Sequence, residues 1–168
     1  DHKTLKFTNR VQDIKTVFWV IKESKLLPNG TEPYNYYENS NLLSSTDENY
    51  FSFNRGQHDW WNGYTPNPIR NGISRINGSQ IQNSDNPADH ENNYIVFSLV
   101  TTDYNTSGSY STKERVSADI IGLRTNYGTP MSGTNQISHV YLNAHFAELI
   151  IYTRCLSTQE VIDIEAYL

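Results

Sequence analysis

Phe146-Ala-Glu-Leu-Ile-Ile-Tyr-Thr-Arg-Cys-Leu-Ser-Thr-Gln-Glu-Val-Ile-Asp-Ile-Glu-Ala-Tyr-Leu168 reads as one strand, a short turn and one closing helix. From Phe146 to Tyr152 almost every residue is apolar, whichever face it takes, so the strand is expected to be covered on both sides and to run centrally in its sheet. Ser157 stands three residues before Glu160, the spacing of a capping box, in which the serine hydroxyl and the glutamate carboxylate satisfy the first free N–H groups of a helix. Leu156 precedes the cap, and Val161 occupies the position where a hydrophobic staple would meet it. Val161, Ile164 and Leu168 then give the helix a single apolar stripe.

Working outward, the other strand candidates are short runs divided by turn chemistry. They are Leu5–Phe7, Thr16–Lys22, Tyr50–Phe53, Gly72–Ile76, Ser79–Ile81, Tyr94–Thr101, Ala118–Arg124 and Tyr141–Tyr152, the last with a break near Asn143. Val17, Trp19 and Ile21 alternate, which places Trp19 in the core. Tyr94–Val100 is apolar at nearly every position and reads as a central strand. Ile76-Asn-Gly-Ser79 is a two-residue hairpin signal, because Asn and Gly tolerate the positive φ of a type I′ turn. Many short strands and one terminal helix predict an all-β domain, a β-sandwich of jelly-roll type.

Composition agrees. Of 168 residues, 36% are hydrophobic and 18% charged, both low for a globular domain, while 12 Tyr, 6 Phe and 3 Trp supply enough to pack one core. The expectation is one domain over 1–168. Its start at Asp1, with neither Met nor a signal-like segment, suggests a part of something longer. The net charge of −5 comes without a basic cluster, which argues against nucleic acid as a partner. No stretch is apolar for long enough to insert in a membrane as a helix. The single cysteine, Cys155, allows no internal disulfide and reads as a small buried hydrophobe at a strand end.

The C-terminal stretch also carries a resemblance. Ala147, Glu148, Leu149, Ile150, Ile151, Tyr152, Arg154, Leu156, Ser157, Glu160, Ile164, Glu165, Tyr167 and Leu168 match the end of laminin-G-like, concanavalin-A-like jelly rolls. The version that the chain resembles most occurs in bacterial surface proteins, secreted multidomain proteins and phage virion proteins. Thr16–Lys22 resembles the first long core strand of that pattern, Asn71–Ser79 its mid-domain hairpin and Ile120–Arg124 the strand before its final hairpin. The resemblance implies an extracellular, cell-surface or virion setting, and a work of recognition or adhesion with glycan as the default ligand. A structural decoration or fibre domain that binds neighbouring protein subunits is the alternative. One fold hosts many activities, so function has to be argued from sites.

The candidate site is the loop Arg55-Gly-Gln-His-Asp-Trp-Trp-Asn-Gly-Tyr64. Aromatic faces stack on the apolar face of a pyranose while polar side chains bind its hydroxyls, so Arg55, His58, Asp59, Trp60, Trp61, Asn62 and Tyr64 are the parts that a glycan site needs. The same residues are also read as packing, with the two Trp straddling a strand, one in the core and one on a subunit interface. Tyr34-Asn-Tyr-Tyr37 is read as local packing or partner contact. Related folds often hold Ca²⁺ at the rim, and Asp85, Asp89 and Glu91 share one loop with several Asn; Asp103 and Asp119 are further carboxylates. The spacing is generic, and a solvated acidic loop explains it as well. The five His are scattered, without the grouping of a zinc site. Three Asn-x-Ser/Thr sequons, at Asn29, Asn77 and Asn105, matter only in a eukaryotic secretory setting.

Catalysis is not expected. Glycoside hydrolases of this fold resemble one another in a Glu-x-Asp-x-x-Glu or Glu-x-Asp-x-Glu strand motif, and the chain holds no such run. The nearest, Asp163-Ile-Glu165, falls in the terminal helix. Glu148, within the apolar strand, is expected to be structural: it must find donors or sit at the strand's wet face, and backbone or the Arg154 region is the expected partner.

Overall fold

Val17, Trp19 and Ile21 point one way from their strand and Phe18 the other, and all four side chains are fully buried. That strand therefore has protein on both faces, and the fold is built around it. The computed structural model describes residues 5–23, 41–44, 53, 60–61, 63, 65–85, 93–102, 116–124, 140–141 and 144–168.

The strands are β1 (Leu5–Val11), β2 (Thr16–Glu23), β3 (Leu43–Ser44), β4 (Ile73–Ile76), β5 (Ser79–Ile81), β6 (Tyr94–Val100), β7 (Ala118–Ile121), β8 (Leu123–Arg124), β9 (Val140–Tyr141) and β10 (Ala144–Tyr152). The helices are α1 (Asn67–Arg70) and α2 (Thr158–Tyr167). Five strands form an antiparallel sheet in the order β10-β2-β6-β4-β5, and three form a second in the order β1-β7-β3. A third ladder joins β8 to β9. The protein is all-β with one short C-terminal helix. Inner-face residues of the larger sheet (Val17, Trp19, Ile21, Ile76, Ile95, Phe97, Leu99) share one apolar core with Leu43, Ala118 and Ile121 of the smaller.

Local chemistry explains the elements. Asn77 and Gly78 take φ of 46° and 83°, the left-handed pair required by the expected β4–β5 turn. Asn77 also extends the β6 ladder, since its Oδ1 accepts from the Val96 N–H at 2.9 Å and its own N–H donates to the Val96 carbonyl at 2.9 Å. Gly72 is required by close approach: a Cβ there would stand 2.6 Å from the carbonyl oxygen of Val100. Gly122, at φ 76°, divides the run read as Ala118–Arg124 and sends β7 and β8 to different ladders. The run read as Tyr141–Tyr152 likewise holds two strands, β9 and β10, in different ladders, and the expected break near Asn143 falls outside the described residues.

β6 is the middle strand of its sheet, as its apolar run predicts. β10 is not central: among the described residues it lies on the edge, paired only with β2. Its two-faced apolarity has another cause. One face meets the core through Phe146, Leu149 and Ile151, and the other meets the helix cluster through Ile150 and Tyr152. Phe146 and Leu149 share a face despite odd spacing because a bulge intervenes. Phe146 pairs with Ile21 and Glu148 with Val20, so Ala147 is the extra residue.

α2 lies on the outer face of the larger sheet. Leu156, Val161, Ile164 and Leu168 pack there on Phe18, Val100, Ile150 and Tyr152. The capping box forms as the sequence predicts. The Glu160 N–H donates to Ser157 Oγ at 3.3 Å, and the Ser157 N–H donates to Glu160 Oε2 at 2.8 Å. The Arg154 guanidinium grips the same carboxylate at 2.6 and 3.1 Å. Thr16 fixes the crossing from strand to helix: its hydroxyl donates to the Arg154 carbonyl and accepts from the Leu156 N–H. Glu165 docks the far end: its Oε1 and Oε2 both accept from Arg75 Nε (3.1 and 3.0 Å), and Oε1 also accepts from Ser98 Oγ (2.6 Å). Arg75 also donates to the Gly78 carbonyl, so the pair ties helix, hairpin and sheet together.

Two expectations need correction here. Cys155 is exposed, not buried, because the chain has already left the sheet at that point; its Sγ stands 3.5 Å from the Thr101 carbonyl. Glu148 takes the wet-face alternative, exposed beside the bulge, and its expected partner Arg154 is instead engaged with Glu160. The Tyr50–Phe53 strand candidate falls outside the described residues except for Phe53. That residue is buried and exchanges backbone hydrogen bonds with Leu42 and Leu43. β3 and α1 were not anticipated. Two strand residues carry no period, and α1 is a single turn marked only by Pro66 and Pro68.

Replacing Trp19 with Ala should lower the unfolding free energy by roughly 3–5 kcal/mol, measured by urea denaturation, because it empties the centre of the core. An unchanged midpoint would contradict the packing of β2. Glu160 gives a pH signature. The Arg154 guanidinium, helped by the Ser157 N–H and hydroxyl, lowers its pKa from 4.5 to about 2. A carboxylate with a depressed folded pKa stabilises above its unfolded value, and that contribution is lost as pH falls through the folded one. The protection factors of the α2 amides, taken against the intrinsic exchange rate at each pH, should therefore fall between about pH 4.5 and 2. The fall should be smaller in Glu160→Gln.

Candidate functional site

The Trp60–Trp61 dipeptide sits in irregular backbone, between residues of the candidate loop that lie outside the description. Both indoles are buried, at 0% and 1% exposure. Trp60 stacks on Phe97 with ring centroids 4.6 Å apart; Trp61 leans on Phe97 at 5.6 Å and meets Phe53 edge-on at 6.1 Å. The Trp61 Nε1–H donates to Ser74 Oγ at 3.1 Å, which gives a buried polar tip its partner. These faces are covered by the protein's own core. The expectation that the two indoles stack on a sugar is thereby corrected, and so is the one that places a Trp on a subunit interface. Alternation across a strand would turn the two side chains to opposite faces, but this segment is not a strand, and both turn inward.

Asn83 holds the dipeptide in place. Its Oδ1 accepts from the Trp61 N–H at 2.7 Å, its Nδ2 donates to the Trp61 carbonyl at 3.3 Å, and its own carbonyl accepts from the Trp60 N–H at 2.8 Å. The side-chain amide acts as a substitute peptide group, giving a segment without a strand partner the hydrogen bonds of one. Nothing in the sequence distinguishes this Asn from its neighbours. The signal lies in the pairing, which appears only when the two loops meet.

Arg55, His58, Asp59, Asn62 and Tyr64 of the candidate site fall outside the described residues, as do Asp89 and Glu91 of the calcium candidates and the tyrosine run at 34–37. Asp85 is exposed and closes its own turn: Oδ2 accepts from the Gln82 N–H at 2.8 Å, and the Asp85 N–H donates to the Gln82 carbonyl at 3.1 Å. The carboxylate thus braces the β-turn at 82–85. Asp119 is buried beside Arg10 at 3.6 Å. Among the described residues, no three His, Cys, Asp or Glu side chains come together as a metal would need. No described helix is long and apolar enough to cross a membrane.

No family model, no curated protein and no solved structure matches this chain.

Asn83→Ala should cost about 1–3 kcal/mol, because the Trp61 N–H is left without its acceptor in a half-buried place. Thermal melting gives the loss, and a red shift of tryptophan emission at high temperature should begin earlier than in the parent protein. Asn83→Asp keeps the acceptor and should lose less.

Proposed function

We propose that the protein is a non-catalytic recognition or adhesion module on a laminin-G-like, concanavalin-A-like jelly-roll sandwich, working outside a cell or on a virion, with glycan as its ligand class. The observation that carries the reading is the Trp60–Trp61 anchor. A dipeptide with both indoles in the core and its backbone pinned by Asn83 holds one point of a long polar loop fixed. Asp59 and Asn62 adjoin it directly in sequence, with Arg55, His58 and Tyr64 close by. Ligand contacts then fall to those polar side chains and to the Tyr64 ring, close in sequence to a fixed dipeptide. Preorganisation of this kind lowers the ordering cost of binding, and loops on a rigid framework commonly carry function.

A second reading draws on a separate observation. Leu5, Ile73, Ile162 and Tyr167 are large apolar side chains left exposed, Tyr167 at 79%. A structural domain of a virion or surface appendage would cover such residues with neighbouring subunits.

The test is a glycan array probed with an oligomerised form of the domain, since single shallow sites bind weakly and gain from multivalency. Binding is expected, and Asp59→Ala and Tyr64→Ala should reduce it without lowering the melting temperature. An array without any bound glycan would sink the lectin reading and leave the structural one.

A further inference from the structure

α2 divides the outer face of the five-stranded sheet into two halves of different chemistry. Beneath the helix the polar groups are engaged: Thr16 with Arg154 and Leu156, Ser98 with Glu165, Arg75 with Glu165 and Gly78. Beyond the helix, two cross-strand rows remain. The register pairs Glu148 with Val20 and Val20 with Val96, then His145 with Lys22 and Lys22 with Tyr94. All six residues lie on the outer face, since they alternate with the inward Ile21, Ile95 and Phe97 on β2 and β6, while the bulge keeps His145 and Glu148 on one side of β10. Tyr94 is 56% exposed, His145 and Glu148 are exposed, and Val20, Val96 and Lys22 are half-buried. Among the described residues, the polar tips of Tyr94, Lys22, His145 and Glu148 have no hydrogen-bond or ion-pair partner, in contrast to the row under the helix.

We propose that this open half of the sheet, centred on Tyr94 with Lys22, His145 and Glu148, is a binding platform for neutral oligosaccharides. It rests on the glycan reading above and names a second place for the ligand, in addition to the loop at 55–64. The chemistry fits in three respects. An exposed phenol ring on the same face as Val20 and Val96, one row away, offers an apolar surface on which a pyranose can stack. Lys22 and His145 donate and Glu148 accepts, and the vicinal hydroxyls of a sugar need both kinds of group. Lys and Glu offset each other in charge, so the platform favours an uncharged ligand over a sulfated or sialylated one. Strands are spaced about 4.8 Å apart, so the row from His145 through Lys22 to Tyr94 runs for about 10 Å, the reach of two linked sugar rings.

The experiment is an NMR titration of the isotope-labelled domain with cellobiose, maltose, lactose and N,N′-diacetylchitobiose. Backbone and tyrosine-ring shifts should move on β2, β6 and β10 around Lys22, Tyr94 and Glu148. Tyr94→Ala should weaken the affinity roughly three- to tenfold, the worth of one aromatic contact, while Tyr94→Phe keeps it within about twofold. Tyr94 is exposed, so neither variant should lower the melting temperature. Shifts confined to residues 55–64, or an affinity indifferent to Tyr94→Ala, would overturn the platform and leave the lectin reading standing. A silent titration beside a positive array would also overturn the platform alone, and silence in both would end the two together.

Discussion

All three tryptophans of the chain pack on one ring, Phe97. Trp19 stacks on it from the neighbouring strand at 5.2 Å, Trp60 at 4.6 Å, and Trp61 leans against it at 5.6 Å. Trp19 and Phe97 are direct cross-strand partners in the middle of the larger sheet, so this contact is also a pairing of β2 with β6. Aromatic rings are the largest apolar surfaces that the chain has, and together they fill a volume that aliphatic side chains would need several residues to fill. The smaller sheet closes over the same cluster through Leu43, Ala118 and Ile121. The Trp60–Trp61 segment is consequently part of the core that joins the sheets, although its sequence surroundings read as a surface loop.

The outer face obeys a different constraint. A ten-residue helix cannot cover five strands, and α2 is held over only part of them. Its place is set at both ends by polar contacts, by Thr16 and the Arg154–Glu160 fork where it starts and by Arg75, Ser98 and Glu165 where it finishes. With side-chain exposures of 14% and 5%, Arg75 and Glu165 form a largely desolvated pair, and such pairs contribute more to a unique position than to net stability. Fixing the helix in this way also fixes which part of the sheet stays open. Scaffold and candidate surface are thus determined by the same contacts.

Much of this was legible in the residue pattern. The capping box at Ser157 and Glu160, the Asn77–Gly78 turn, the alternation through Val17, Trp19 and Ile21 and the apolar run of Tyr94–Val100 are local signals, each set by residues a few positions apart. The site was less legible for a physical reason. Trp60 and Trp61 next to Asp59 and Asn62 have the composition of a binding loop, and composition does not record which way a side chain turns. That direction depends on Asn83, on Ser74 and on Phe97, which lie 13 to 36 positions away from Trp61 in the chain and are brought to it only by folding.

What the sequence determined by itself is the class of the fold, all-β with a capped terminal helix, since hydrophobic period, turn residues and caps act over a few residues and need no partner. Tertiary structure decided the rest. Among the described residues it placed β10 at an edge, because apolarity on both faces reports cover above and below, not neighbours on either side. It turned both indoles inward, because a backbone pinned by a side-chain amide does not alternate as a strand does. It left Tyr94, Lys22, His145 and Glu148 together on an open face, because residues from three strands become neighbours only through register, and the bulge at Ala147 sets that register for β10.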